Sequence, residues 1–191
     1  MRFYVSLAVF LILVLLAQPV YARRRSTQRE LERAVKEGRE LYEEKYYMGA
    51  IEKWTDVLKV DPWNEEVKLL IERALKRYEE LTGRLETAYQ LLEDGSLDEA
   101  HTEFLYVQEN SSSKNEDMSV LVDRGLEAVE HARRDLRYRE IIEEGDLYLD
   151  RAEFKSALAS YEAATEFYPQ GEIAQQRIAL AERKMLEAEL G

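Results

Sequence analysis

Between residues 23 and 190 the apolar positions recur at spacings of three and four, the period of a helix that buries one face. Asn64 to Leu92 carries Val67, Leu70, Ile71, Leu75, Tyr78, Leu81, Leu85, Ala88 and Leu92 in that rhythm. Asn115 to Leu149 does the same with Met118, Val122, Leu126, Val129, Leu136, Ile141 and Ile142. Both stretches are thus predicted as long single helices. Asn64 and Asn115 serve as their caps, and Glu65, Glu66, Glu116 and Asp117 suit the positive end of the helix dipole. A helix of about 30 residues is about 45 Å long. A last helix is expected from Gly171 to Leu190, with Ile173, Ile178, Ala181 and Met185 turned toward the preceding element.

A second periodicity lies above the first. Gly38, Ala88 and Gly145 are each followed twelve residues later by alanine, at Ala50, Ala100 and Ala157. Four residues beyond each alanine stands a large ring: Trp54, Phe104 and Tyr161. Pro62 and Pro169 close the first and third copies, and Ser112 stands where the second would have proline. A small residue on one helix lets its neighbour come close, and the ring one turn on fills the wider part of the interface. Proline lacks the donor and turns the residue before it away from helix, so it ends the second helix of each copy. Short polar bends are expected at Glu44-Lys45-Tyr46, Asp94-Gly95-Ser96 and Asp150-Arg151-Ala152. Three helical hairpins follow, each with an apolar face too large to cover by itself.

This skeleton resembles the tetratricopeptide repeat, a helix–turn–helix unit of about 34 residues. The resemblance covers residues 31–64, 81–114 and 138–171. It implies an all-α solenoid of residues 23–191 with two elongated first helices and a capping helix over 171–190. The family's large aromatic residue in the first helix is missing, since Ala34, Arg84 and Ile141 stand there. The copies are also spread, 50 and 57 residues apart. By the same resemblance a protein partner would lie along the first helices, on Val35, Arg39 and Tyr42, then Leu85, Tyr89 and Leu92, then Arg139, Ile142, Asp146 and Leu149. The other reading of those side chains is burial under neighbouring helices. Apolar and acidic residues in that row do not suit the basic clamp with which chaperone-binding members hold a terminal carboxylate. Tyr46, Tyr47 and Trp63 near the first hairpin ends are read as packing first, with interface anchors as the alternative.

The N-terminus breaks the pattern. Phe3 to Ala17 is almost wholly apolar behind Arg2, and Pro19 and Ala22 follow. A basic start, a run near fifteen residues and a small residue at the end mark a secretory signal peptide over 1–22. The alternative is an uncleaved anchor through residues 3–17, because Arg23, Arg24 and Arg25 resist export of that flank. The expected setting is the bacterial envelope, with the periplasm first and a body held inside by the arginines as the alternative for an anchor.

Composition narrows the chemistry. The 191 residues hold 27 Lys and Arg against 39 Asp and Glu, a formal net charge of −12. That balance offers no general attraction to phosphate backbones, so nucleic acid is not an expected partner. With no cysteine there is no disulfide, thiolate metal site or thiol nucleophile. His101 and His131 are the only histidines and lie 30 residues apart. Adjacent acids such as Glu43-Glu44 and Glu143-Glu144 point in different directions on a helix and cannot close on one substrate. Asn110-Ser111-Ser112-Ser113-Lys114-Asn115 reads as a solvated loop. No catalytic residue, cofactor or metal site is therefore expected. Two functions remain: a non-catalytic adaptor binding other proteins in an envelope assembly or motility machine, and an accessory helical module of cell-wall carbohydrate remodelling. Self-association through the long helices is a further expectation.

Overall fold

The computed structural model describes residues 27–190, and the signal-peptide and anchor readings of residues 1–22 lie outside them. Among the described residues there are seven helices and no strand, so the protein is all-α. Helix α1 covers residues 27–43. It is followed by α2 (Tyr47–Val60), α3 (Glu65–Glu93), α4 (Leu97–Asn110), α5 (Glu116–Asp150), α6 (Phe154–Phe167) and α7 (Glu172–Leu190). The two long helices have 29 and 35 residues and begin beside the two expected asparagines. Asn64 caps α3 with its own side chain, its Oδ1 accepting the Val67 N–H at 3.1 Å.

The second helices of the three hairpins, α2, α4 and α6, have 14 residues each. Their starts are spaced as the sequence copies are. The turns leading into them also share one hydrogen-bond scheme. Lys45, Gly95 and Ala152 take a left-handed backbone, with φ of 62°, 79° and 59°. Their N–H groups bond back to the carbonyls of Tyr42, Leu92 and Leu149 at 3.0, 3.1 and 3.1 Å. The next residues, Tyr46, Ser96 and Glu153, reach Leu41, Leu91 and Tyr148 at 2.9 Å in all three cases. This is the paired closure in which a left-handed residue stops a helix and satisfies its last carbonyls. The third bend is thus Arg151-Ala152-Glu153, one residue later than expected, because Asp150 is still the last residue of α5.

Only the middle turn places glycine at the left-handed position. A Cβ there crowds the following carbonyl, at a cost of about 1–2 kcal/mol, partly offset by the greater freedom glycine has in the unfolded chain. Ala152→Gly is therefore expected to stabilise the protein by about 0.5–1 kcal/mol. Urea melts of the two forms check it, and a loss of stability would count against the turn geometry.

The chain divides into two compact units, one of residues 27–87 with 103–122, the other of 88–102 with 123–190. In the first, Ala50, Trp54, Val57, Val67 and Ala74 form a buried cluster joined by Leu31, Ala34, Val35, Ile51 and Ile71. Gly38 is the reason α1 and α2 meet there. A Cβ on Gly38 would lie 2.2 Å from Trp54 Nε1, and that nitrogen donates to the Val35 carbonyl at 3.1 Å. The second unit repeats the device. A Cβ on Gly145 would lie 2.4 Å from Tyr161 Cε1, inside a cluster of Ile141, Ile142, Leu149, Ala157, Tyr161, Ala164, Ala174 and Ala181. Ala174 and Ala181 belong to α7, so this helix covers the last hairpin as expected. Ile173 does not take part and stays 54% exposed. The middle copy keeps Ala88, Ala100, Phe104 and Val107 fully buried. Two members of the predicted stripes, Leu75 and Leu136, are 40% and 45% exposed.

The helix-ending role of proline is visible in the backbone. Asp61 and Tyr168, the residues before Pro62 and Pro169, have ψ of 80° and 87°, out of the helical region.

Candidate functional site

The ten residues expected to face a partner fall into three groups. Leu85, Ile142 and Leu149 are buried, at 7, 8 and 7% exposure, and so build the core more than a surface. Val35, Tyr42, Tyr89, Leu92 and Asp146 are half-buried, and Arg39 and Arg139 are exposed. Val35, Arg39, Tyr42 and Leu85 belong to the first unit, and the other six to the second.

In the first unit the polar members are engaged within the fold. The Arg39 guanidinium bonds to Glu66 at the start of α3. The Tyr42 ring meets Tyr47 edge-on at 5.2 Å and lies 6.1 Å from Trp54. Beyond these rings stands a network on α3 and α4. Glu80 accepts from the Tyr106 hydroxyl at 3.0 Å and from Arg77 at 2.9 Å. Arg84 stacks on the Tyr106 ring at 3.9 Å and bonds Glu103 at 2.9 Å. The Tyr106 hydroxyl, then Arg77, hold the Glu80 carboxyl below its ordinary value. Burial, with Tyr42 beside it, pushes the Tyr47 hydroxyl up. Each donor in this network has an acceptor within the chain, which is the arrangement of a structural brace.

In the second unit Asp146 is held at the hairpin interface. Its Oδ1 accepts from the buried Tyr161 hydroxyl at 2.7 Å and faces Arg177 Nε of α7 at 2.9 Å. The arginine nitrogen is buried and off line for a hydrogen bond, so the two meet as an ion pair. Burial first, and then the bond to Asp146, drive the Tyr161 phenol well above its usual value of 10.0. A tyrosine in that state stays protonated, and Asp146 serves to seat the ring against Gly145. Arg139 bonds only weakly, through Nε to the Asp135 carbonyl at 3.4 Å.

Sequence reasoning missed a second feature of this unit. Asp135 accepts from the Tyr168 hydroxyl through Oδ1 and lies 3.1 Å from His131 Nδ1 through Oδ2. Tyr138 meets the Tyr168 ring edge-on at 5.3 Å, and its hydroxyl oxygen accepts from the Ala174 N–H at 3.2 Å. These rings, with Pro169, Gly171, Glu172 and Ile173, line an open, largely apolar cleft of about 600 Å³. The i, i+4 spacing of His131 and Asp135 was readable, but nothing in the sequence placed Tyr168 over them. His101 lies half-buried on α4, and His131 is exposed. Among the described residues no group of three or more His, Asp or Glu is placed to hold a metal ion, and no helix is long and apolar enough to cross a membrane.

The Tyr168 hydroxyl is the main reason that the Asp135 carboxyl titrates below its ordinary 3.8. A carboxyl depressed in the folded state contributes stability that is present above its unfolded value and is lost as the pH falls through the folded one. Tyr168→Phe is therefore expected to lower stability at pH 7, with the gap to wild type closing as the pH drops below 3.8. Urea unfolding at neutral pH and in acid measures it. A gap independent of pH would mean that the charged carboxylate is not what the phenol serves.

Fold and site together define the class: an all-α protein of helical hairpins closed by aromatic–glycine contacts. No family model, characterised protein or solved structure matches the chain.

Proposed function

We propose that this protein is a non-catalytic adaptor of the tetratricopeptide type, exported to the bacterial envelope and binding other proteins there as part of an assembly or motility machine. One observation carries the reading: the three hairpins share turn geometry, second-helix length and helix-to-helix contact residues. Lys45, Gly95 and Ala152 hold the same backbone, and α2, α4 and α6 have the same 14 residues of length. A hairpin repeated in this way commits its side chains to stacking and to extended surface, and supports recognition of another chain. The half-buried Val35, Tyr42, Tyr89 and Leu92, with the exposed Arg39 and Arg139, are the residues proposed to meet the partner. Buried Leu85, Ile142 and Leu149 support them from below. Export rests on the apolar stretch of residues 3–17 and the Ala22 boundary.

Photo-crosslinking in living cells tests the proposal. A benzophenone side chain at Arg39 or Leu92 is expected to give a discrete protein adduct, and one at exposed Glu52 or Lys155 of the second helices is not. N-terminal sequencing of the same material should begin at Arg23. Equal labelling from both sets of positions would remove the proposed face. A folded variant lacking both histidines that abolished function in the cell would reopen a catalytic reading.

A further inference from the structure

The loops that follow the first and third hairpins have the same place in the repeat and opposite relief. Between α2 and α3, the segment Asp61-Pro62-Trp63-Asn64-Glu65-Glu66 holds its indole out in solvent. Trp63 is 82% exposed, next to Val60 at 59%, and the Lys68 ammonium lies 5.3 Å from its ring centre. An indole left in water beside the exposed Val60 offers an anchor, since tryptophan is enriched among the residues that carry binding energy at interfaces. Between α6 and α7, the equivalent segment is hollow and forms the cleft of Tyr138, Tyr168, Pro169 and Ile173.

That cleft is built in advance. Tyr168 is held by Asp135, Tyr138 by the Ala174 N–H, and the two rings brace one another. Its floor needs glycine, because a Cβ on Gly171 would lie 2.9 Å from the Tyr168 carbonyl and 3.0 Å from the Tyr138 hydroxyl. Rigid aromatic walls of this kind accept a flat apolar group at little entropic cost.

Charge selects the occupant. Arg134 stands one turn before Tyr138 on the same face of α5, and Arg139 follows it directly. Both are exposed, and neither forms an ion pair among the described residues. The indole of Trp63 is flanked by Asp61, Glu65 and Glu66, and Lys68 beside it matches Glu172 on the cleft. Glu65 and Glu66 are paired to Lys68 and Arg39 only at the surface, where such pairs exchange at small cost.

We propose that the tyrosine-lined cleft of one copy receives Trp63 of a second copy, in a head-to-tail contact between identical chains. As a head-to-tail contact it is heterologous, and a pair so formed retains one free knob on one chain and one free cleft on the other. Association therefore continues beyond a pair, or closes into a ring.

Sedimentation velocity on protein purified as cells process it tests this directly. Wild type should grow past a dimer as concentration rises, and Trp63 emission should shift to the blue while buried Trp54 contributes a constant background. Trp63→Ala and Ile173→Asp change exposed side chains, so both should fold normally by circular dichroism and each should remain monomeric alone. Mixed one to one, they should form pairs and nothing larger, since one has only an intact cleft and the other only an intact indole. A wild type that stays monomeric at all concentrations would overturn the proposal and leave the cleft to a foreign partner. Variants that still associate alone, or that fail to pair when mixed, would overturn it equally, by pointing to another surface or a symmetric one.

Discussion

Trp54→Ala is expected to cost about 3–5 kcal/mol, the range for emptying a core site of a large aromatic. The indole is 1% exposed, and it is the one ring that fills the space opened by Gly38 on α1. None of its neighbours can take its place. Gly38 has no side chain to extend, and Ala50 and Val57 are too short to cross the gap. The Val35 carbonyl would lose the indole N–H it accepts at 3.1 Å, a further destabilisation. Tyr42 and Tyr47 would also lose the wall they lean on, through the Tyr42–Trp54 contact at 6.1 Å. Equilibrium unfolding in urea, followed by circular dichroism because the fluorophore itself is removed, gives the number. A cost below about 1 kcal/mol would mean that α1 and α2 are not held by this ring.

Gly145→Ala is the second large effect, and it comes from adding one carbon. The new Cβ would lie 2.4 Å from Tyr161 Cε1 and 2.7 Å from Cδ1, well inside contact distance. The ring cannot swing away, because it is fully buried and its hydroxyl is tied to Asp146 at 2.7 Å. Either α5 and α6 separate or the phenol breaks its bond, and overpacking of this kind costs about 1–3 kcal/mol. Helix propensity works the other way by up to about 1 kcal/mol, so the steric effect has to exceed it to show. Gly83 provides the control. It lies on the exposed side of α3 with nothing within 4 Å of a Cβ, and Gly83→Ala should stabilise by up to about 1 kcal/mol. Opposite signs for two helical glycines would locate the cause at the Tyr161 contact. Loss of stability at both positions, or at neither, would contradict it.

The repeat of small residue, alanine and ring was legible because helix packing is local in sequence. Positions 38, 50 and 54, or 145, 157 and 161, belong to consecutive helices joined by a short turn. Their contact follows from spacing alone. The long helices were equally legible, since α3 and α5 carry their period unbroken and open at an asparagine with acids behind it. The bend at the end of α5 was placed one residue early because its left-handed residue is Ala152, which has no sequence signal for that backbone, where Gly95 does.

The surface was another matter. Leu85, Ile142 and Leu149 look like their neighbours Tyr89 and Leu92 in a helical period, yet the first three are buried and the other two half-exposed. One helix face spans both the core and its margin, and a shift of a few tens of degrees in packing decides which side a residue falls on. Trp63, whose place near the hairpin end reads as packing, stands in solvent at 82% exposure. The cleft of Tyr138 and Tyr168 joins residues 30 apart, one within α5 and the other in the loop after α6. Here the sequence by itself determined the helices, their order and the glycine–aromatic contacts, since each depends on spacing within one hairpin. The tertiary structure alone decided which apolar residues remain outside and where two tyrosines and an aspartate converge, since those follow from the angles at which separate helices come to rest.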